Sequence, residues 1–275
     1  MVKAFGVVGH PIGHSRSPEI HGQFALQCKL DIDYLKFDVE PEKFDSFVSE
    51  FFANGGVGLN ITVPFKEHAF RLSTPASEKV KLSKAVNTLY LNEIGELVGD
   101  NTDGPGLVKD LLNNDILLEQ KRLLILGAGG AARGILPSII EKSPASITIA
   151  NRTIEKAEQL QQEFSHLQSI DVVGFEDVDG VDTEPYDVII NATSLGIQGE
   201  TPNISPKAVK SSTCCYDLMY SSDDTAFVKW ALDNKAQKAI DGLGMLVEQA
   251  AVSFEIWLGA IPDTRAIVDR IRRGE

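Results

Sequence analysis

Short apolar runs separated by turn residues make up the chain, and strand-like and helix-like periods alternate along it. Ala4–Gly9, Tyr34–Val39 and Val57–Val63 are β-type runs, the last broken by Pro64. Ser17–Leu30 and Pro41–Phe52 between them have helical spacing, with Pro41 suited to a first turn. Ala85–Val98 alternates around Asn92-Glu93-Ile94-Gly95, which predicts a hairpin. Near Asn101–Pro105 the pattern changes to a helix, Gly106–Asn113, and predicts a domain boundary there.

The next stretch, Lys121–Arg133 (KRLLILGAGGAAR), organises the rest. Leu123–Leu126 is an apolar run bounded by charge and by glycine, as a buried parallel strand is written. Gly127, Gly129 and Gly130 follow, with Ala132 at the third fingerprint position, and then a largely apolar Gly134–Ile140. Strand, glycine turn and helix begin a dinucleotide-binding βαβ unit: the turn is tight, the pyrophosphate must approach bare backbone, and the helix N-terminus offers unpaired N–H groups. The α/β pattern continues. Ser146–Asn151, Ile170–Phe175, Tyr186–Ala192 and Thr213–Leu218 are strand candidates; Thr153–Phe164 and Thr225–Asn234 are helices. Met245–Leu258 is apolar enough to pack on a core, and the amphipathic Thr264–Arg273 ends in arginines, as the helix dipole prefers. The fold class is therefore α/β with two domains, an open α/β domain and a Rossmann-like domain with a parallel sheet.

Composition bounds the partners. The 275 residues suffice for two modest domains, and 43% apolar residues predict a real core. A net charge of −13 argues against nucleic acid or an anionic membrane as partner, so an anionic ligand must be met by local basic groups or helix ends. Three cysteines, Cys28, Cys214 and Cys215, make no disulfide framework, which fits a reducing cytoplasm. The apolar run near the N-terminus is short for a signal peptide, and no run of about 18 apolar residues predicts a membrane span. His10, His14, His21 and His68 lack metal-ligand spacing, so no metal is expected.

Several polar clusters stand where chemistry is possible. In Ser15-Arg16-Ser17-Pro18, Ser17 can cap a helix with Pro18 at its first position, or two hydroxyls at a helix N-terminus can bind a carboxylate. Asn60–Lys66 closes the third strand, where ligands bind in open α/β sheets, although Lys66 alone reads as a solvated lysine. Turn chemistry explains Asn87-Thr88 and Asp100–Gly104 as well as function does. Gln249, on a mostly apolar helix, needs partners, from a structural network or from a ligand. At Asn151-Arg152-Thr153 an arginine stands where an NAD enzyme usually carries an acid for the ribose 2′-hydroxyl. Thr153 would cap the next helix and place Lys156 in its first turn, against the dipole preference. A 2′-phosphate between Arg152 and Lys156 accounts for both charges.

Taken together, GHPIGHSRSP, GLNITVPFK, AVNT, GDNTDG, GAGGAAR, NRT, NATSLG, YDLMY and DGLGMLVEQAAVSFEIW, in that order over nearly the whole chain, resemble the shikimate dehydrogenases. The resemblance implies reversible NADPH-dependent reduction of 3-dehydroshikimate to shikimate, in aromatic amino-acid biosynthesis, by a cytoplasmic monomer or homodimer. It implies a substrate domain of residues 1–103 plus 238–275, with a cleft against an NADP-binding domain of 104–237. Carried over by motif, Ser15 and Ser17 hold the substrate carboxylate. Thr62, Asn87 and Gln249 bind its ring hydroxyls together with Lys66 and Asp103, the catalytic pair, and Tyr220 and Gly242 line the same cleft. The cofactor set is Gly127, Ala128, Gly129, Gly130, Ala131, Asn151, Arg152, Thr153, Lys156, Thr193, Leu218, Gly242 and Met245, with Thr193 and Met245 toward the nicotinamide. The chain departs from the family's HSLSP and HN pattern at Arg16 and at His21-Gly22; Arg16 bears on access or carboxylate affinity, while both serines are intact. Competing readings are an NAD-dependent relative that also takes quinate, a non-catalytic ligand sensor on the same scaffold, and a reductase of another pathway.

Overall fold

The computed structural model describes residues 2–178 and 184–274. The chain divides into two compact units, Met1–Gly106 with Leu246–Glu275, and Leu107–Met245. The first unit runs β1 (Lys3–Gly9), α1 (Ser17–Cys28), β2 (Ile32–Asp38), then a 3-10 turn (Pro41–Lys43) into α2 (Phe44–Ala53). It continues with β3 (Gly56–Ile61), α3 (Lys66–Leu72), β4 (Thr74–Pro75), α4 (Glu78–Ser83), β5 (Thr88–Leu91) and β6 (Leu97–Asp100). The helix α5 (Asp103–Asn113) leads into the second unit. There follow β7 (Arg122–Leu126), α6 (Gly130–Ile140), β8 (Ser146–Ala150), α7 (Ile154–Phe164), β9 (Ile170–Val173), β10 (Tyr186–Asn191), β11 (Val209–Asp217), α8 (Ala226–Asp233) and β12 (Lys238–Ile240). The chain closes with α9 (Leu243–Leu258) and α10 (Thr264–Arg272).

The first sheet has the order β2-β1-β3-β5-β6-β4 and is mixed: β1 pairs in parallel with β2 and β3, while β5 is antiparallel to β3 and β6. The β5–β6 hairpin forms because Gly95 takes φ +82 and Asn92 Oδ1 accepts the Ile94 and Glu96 N–H groups, an Asx turn. Its core gathers Val8, Phe44, Val48, Leu59, Ile61 and Phe65. From α9, Phe254 packs edge-on against Phe24 of α1, with 5.6 Å between ring centroids.

The second sheet is parallel throughout, in the order β12-β11-β10-β7-β8-β9. The chain reverses direction across the sheet between β7 and β10, so the crevice beyond their carboxyl ends is the expected ligand position. Leu123–Leu126 of β7 are all fully buried, which is why that strand reads as continuous rather than alternating.

Three local expectations change. The helix α1 begins at Ser17, with Arg16 in the N-cap position and no side-chain cap; Ser17 is inside the first turn and not its cap. Thr153 does hold the N-cap position of α7, but its hydroxyl makes no capping bond. The units divide after Gly106 and Met245, where the family resemblance implies 103 and 237: β12 pairs with β11, which keeps Lys238–Ile240 in the second unit.

Candidate functional site

In the first unit the carboxyl end of β3 turns through Thr62–Phe65, where the Phe65 N–H donates to the Thr62 carbonyl at 2.9 Å. Phe65 is buried and stacked on Phe44 at 4.5 Å, so the turn is anchored by the core and Lys66 opens α3 at its rim. Asp103 opens α5; its N–H donates to Asn101 Oδ1 at 3.0 Å, and Asn101 is itself held by a bond to the Ala85 carbonyl. These two anchors bring the Lys66 ammonium to 2.5 Å from Asp103 Oδ2. The side chains are 30% and 15% exposed, so the pair is shielded but reachable.

Asn87 fixes the other carboxylate oxygen. The Thr102 backbone N–H donates to Asn87 Oδ1 at 2.8 Å, and a backbone amide can only donate. That settles the amide orientation, and Asn87 Nδ2 therefore faces Asp103 Oδ1, to which it donates at 2.9 Å. Both Asp103 oxygens thus accept a hydrogen bond, one from the Lys66 ammonium and one from the Asn87 amide. Gln249 joins from α9: its Oε1 accepts from Asn87 Nδ2 at 3.2 Å and from the Thr102 hydroxyl at 3.3 Å. Gly106 permits this approach, since a Cβ there would lie 2.7 Å from the Gln249 backbone nitrogen and Cβ.

Behind these residues a buried polar chain joins Asn60, Thr88 and Thr102 to Tyr34 and Ser253, two residues that the sequence reading did not single out. The Tyr34 hydroxyl donates to Asn60 Oδ1 at 2.7 Å, and Asn60 Nδ2 donates to Ser253 Oγ at 3.0 Å. Ser253 meets Thr88 Oγ1 at 2.8 Å and Thr102 Oγ1 at 3.2 Å, which returns the chain to Asn87. A signal for Ser253 existed: it lies four residues after Gln249, on the same helix face. Ser15 and Ser17 meet side chain to side chain at 3.2 Å, and Ser15 Oγ accepts the Ser17 N–H at 3.3 Å. Burial pushes the nearby Tyr34 phenol well above its ordinary value, with the Ser17 hydroxyl offsetting part of this. Arg16 points its charge at Glu19, with bonds of 2.9 and 3.0 Å, and so is neutralised within its own helix. Thr62 sits half-buried at the end of β3, its N–H bonded to the Val8 carbonyl.

In the second unit the glycine turn lies between β7 and α6. Gly127 has φ +104, and a Cβ there would come to 3.0 Å of the Ala192 carbonyl, so the turn itself demands glycine. At Gly129 and Gly130 a Cβ would meet nothing, and α6 starts with neither a side-chain cap nor an acid in its first turn. Those bare N–H groups are free for an anion. The turn is tied to β8, since Ala128 N–H donates to Asn151 Oδ1 at 3.2 Å. Arg152, Thr153 and Lys156 follow, all exposed, with no carboxylate at the strand end. Along the same carboxyl edge Thr193 bonds Asn191 at 2.7 Å, Asn191 bonds Asp217 at 3.0 Å, and Gly242 packs on the Leu218 carbonyl. Ala131 lies exposed in the first turn of α6, Met245 half-buried in the first turn of α9, and Tyr220 half-buried after β11. A hollow of about 330 Å³, lined by Val108, Leu112, Ile116, Glu141 and Lys142 among others, contains none of these residues. Among the described residues no His, Cys, Asp or Glu cluster could hold a metal.

Comparison with known proteins meets this geometry from the other side. Residues 7–89 match the model of the shikimate dehydrogenase substrate-binding domain, 108–214 that of shikimate/quinate 5-dehydrogenase, and 242–272 that of the shikimate 5′-dehydrogenase C-terminal domain. The chain is 45% identical over 268 residues to the shikimate dehydrogenase (NADP(+)) of Colwellia psychrerythraea, covering 98% of this chain and 96% of the relative. It is 46% identical over 273 residues to the protein of the same name from Alkalilimnicola ehrlichii, covering 99% of each. Its fold superposes on the crystal structure of Thermus thermophilus shikimate 5-dehydrogenase in complex with NADP(H) and shikimate with a TM-score of 0.87, at 30% identity over the whole of both chains. With a glycine turn built for a dinucleotide in one unit and a lysine–aspartate pair set in polar side chains in the other, the chain belongs to the shikimate dehydrogenase family.

Proposed function

We propose that this protein reduces 3-dehydroshikimate to shikimate with NADPH, reversibly, in the route to the aromatic amino acids. The observation that carries the reading is the Lys66–Asp103 pair, fixed through Asn87 and beside Gln249. A ligand sensor on this scaffold could lose Lys66 or Asp103; this chain keeps both, as a shielded pair. The same reading makes it a cytoplasmic enzyme, monomer or homodimer, acting on a small molecule; its cysteines are free thiols, and no described helix is long and apolar enough to cross a membrane.

The second unit's residues fit NADP(H). A Cβ on Gly129 or Gly130 would meet no atom of the described residues within 4 Å, room that suits a pyrophosphate, and the exposed Arg152 and Lys156 suit a 2′-phosphate. Ala128, Ala131, Asn151 and Thr153 complete that end; Thr193, Leu218, Gly242 and Met245 form the nicotinamide end. When bound, NADPH supplies the hydride that reduces the ketone carbon.

The protein's own part is charge and proton management. Ser15 and Ser17 hold the substrate carboxylate, and Thr62, Asn87, Gln249 and Tyr220 orient the ring. Negative charge develops on the ketone oxygen, and Lys66, kept cationic by Asp103, stabilises it and helps deliver its proton. The test is absorbance of the reduced nicotinamide with shikimate and either NADP or NAD, with quinate in parallel. Reduction of NADP by shikimate is expected; a folded protein that turns over none of these pairs overturns the reading.

A further inference from the structure

Of the helix N-termini that follow strands at the carboxyl edge of the second sheet, those of α6 and α9 are finished in opposite ways. The first, α6, is bare: its N-cap is Gly129, and it has no side-chain cap or first-turn acid. The second, α9, is filled by the protein's own groups. Asp241 Oδ1 accepts the Leu243 N–H at 3.4 Å, and the Tyr216 phenol oxygen accepts the Met245 N–H at 3.3 Å. The Tyr216 hydroxyl in turn donates to Asp110 Oδ2 at 2.5 Å. A Cβ on Gly244 would lie 2.1 Å from Asp110 Oδ1, so only glycine lets that carboxylate seat against the first turn of α9. A buried carboxylate at a helix N-terminus is favoured by the dipole, and its bond from a phenol is of the short, charge-assisted kind. Burial first, and then the Asp110 charge, hold the Tyr216 phenol well above its ordinary value, so it stays a donor throughout the working range. An anion therefore has a place at α6 and none at α9.

We propose that Tyr216, with Asp110 behind it, is a positioning residue that holds the first turn of α9, and with it Met245, at the nicotinamide end of the cofactor site. Tyr216 is fully buried, so its action on the reaction passes through α9 and not through contact with a ligand. The location follows from the edge itself: Gly127 packs on Ala192, Asn191 bonds Asp217, and Gly242 packs on the Leu218 carbonyl, an unbroken path from the glycine turn to α9. The fixed turn explains why glycines stand at Gly242 and Gly244, where a Cβ would strike Leu218 and Asp110. The proposal rests on the NADP-dependent reading above.

Tyr216→Phe keeps the ring and removes both bonds. Four readings are taken: hydrogen exchange over residues 241–249 without ligand, the NADP dissociation constant, the KM for shikimate, and the deuterium isotope effect on kcat with NADPH labelled at the transferred hydrogen. Exchange in the first turn of α9 should quicken and NADP should bind about 2- to 12-fold more weakly, the worth of one net hydrogen bond. The isotope effect should rise as hydride transfer becomes more rate-limiting, with the KM for shikimate changed by less than about 2-fold, the split expected when only cofactor placement suffers. A purely structural role lowers the folded fraction and leaves the isotope effect and NADP affinity of the folded molecules alone; that result overturns the proposal. Should Tyr216→Phe not fold, Asp110→Asn keeps an acceptor oxygen but not the charge, and unchanged NADP affinity and isotope effect there overturn it equally. A wild-type protein that turns over neither NADP nor NAD with shikimate overturns the functional reading and this inference together, whereas an active wild type with an unaltered variant removes only the inference.

Discussion

The Lys66 ammonium donates to one oxygen of Asp103 at 2.5 Å while Asn87 occupies the other at 2.9 Å. In the proposed reaction a carboxylate so held serves as a counter-ion and leaves the lysine to face the developing oxyanion. An interaction realised mainly in the transition state appears in kcat, with KM changed much less. Lys66→Met keeps the apolar stem and should lower kcat on the order of 10²–10⁴-fold. Asp103→Asn should also lower kcat, and because the two act as a unit, the double variant should be little worse than Lys66→Met. Steady-state kinetics at saturating NADP on folded proteins measure this; a Lys66→Met enzyme with near-normal kcat sinks the mechanism.

Cofactor choice should rest on Arg152. The residue is exposed at the end of β8 with no acid beside it to bind a ribose hydroxyl. A charge-assisted bond to a 2′-phosphate contributes about 1.5–3 kcal/mol, so Arg152→Ala should lower kcat/KM for NADP roughly 10- to 100-fold and barely touch NAD. Equal losses for both cofactors would make Arg152 structural.

The glycines of the turn should separate by what demands them. Gly127 is required by its own backbone, at φ +104 and close to the Ala192 carbonyl, whereas Gly129 is surrounded by open space. Gly127→Ala should therefore lower the melting temperature, by an amount corresponding to about 1–3 kcal/mol of strain. Gly129→Ala should leave the melting temperature nearly unchanged and weaken NADP binding, measured by calorimetric titration. If Gly129→Ala binds NADP normally, the pyrophosphate does not lie against that residue.

Elements whose logic is local could be read from the chain, and those assembled from distant residues could not. The glycine turn, the Asn92–Gly95 hairpin and the long helices α7 and α9 carry their reasons within one continuous stretch each. The seven-residue α3, the six-residue α4 and the three-residue β12 are too short to show a period. The proposed catalytic residues Lys66 and Asp103 were visible only because a whole ordered set of motifs resembled a family; taken singly, each read as an ordinary polar residue. Their support was not visible at all. Asn60 reaches Ser253 across 193 positions and Tyr216 reaches Asp110 across 106, and no pattern in one stretch announces such a partner.

His21 supplies a prediction about acid stability. Its ring stacks on Tyr34 at 4.3 Å and is wholly buried among Phe24, Phe254 and Trp257, and among the described residues neither of its nitrogens has a hydrogen-bond partner. Burial lowers its pKa from 6.5 to about 3; the Asn60 side chain, close by but outside hydrogen-bond geometry, offsets part of this. Between those values the unfolded chain binds a proton that the folded protein refuses, so stability rises with pH across the interval. The contribution is fully present above 6.5 and is lost progressively as the pH falls toward 3. It amounts to on the order of 5 kcal/mol in all, with about 3 kcal/mol lost by roughly pH 4.5. His21→Phe keeps a stacking ring and removes the titration, while the carboxylates that titrate lower are common to both proteins. Urea unfolding at neutral pH and at about pH 4.5 should show a smaller acid loss for His21→Phe than for wild type, by about that 3 kcal/mol. Identical losses would mean that His21 takes up its proton without unfolding the first unit, and that its burial is not what limits the protein in acid.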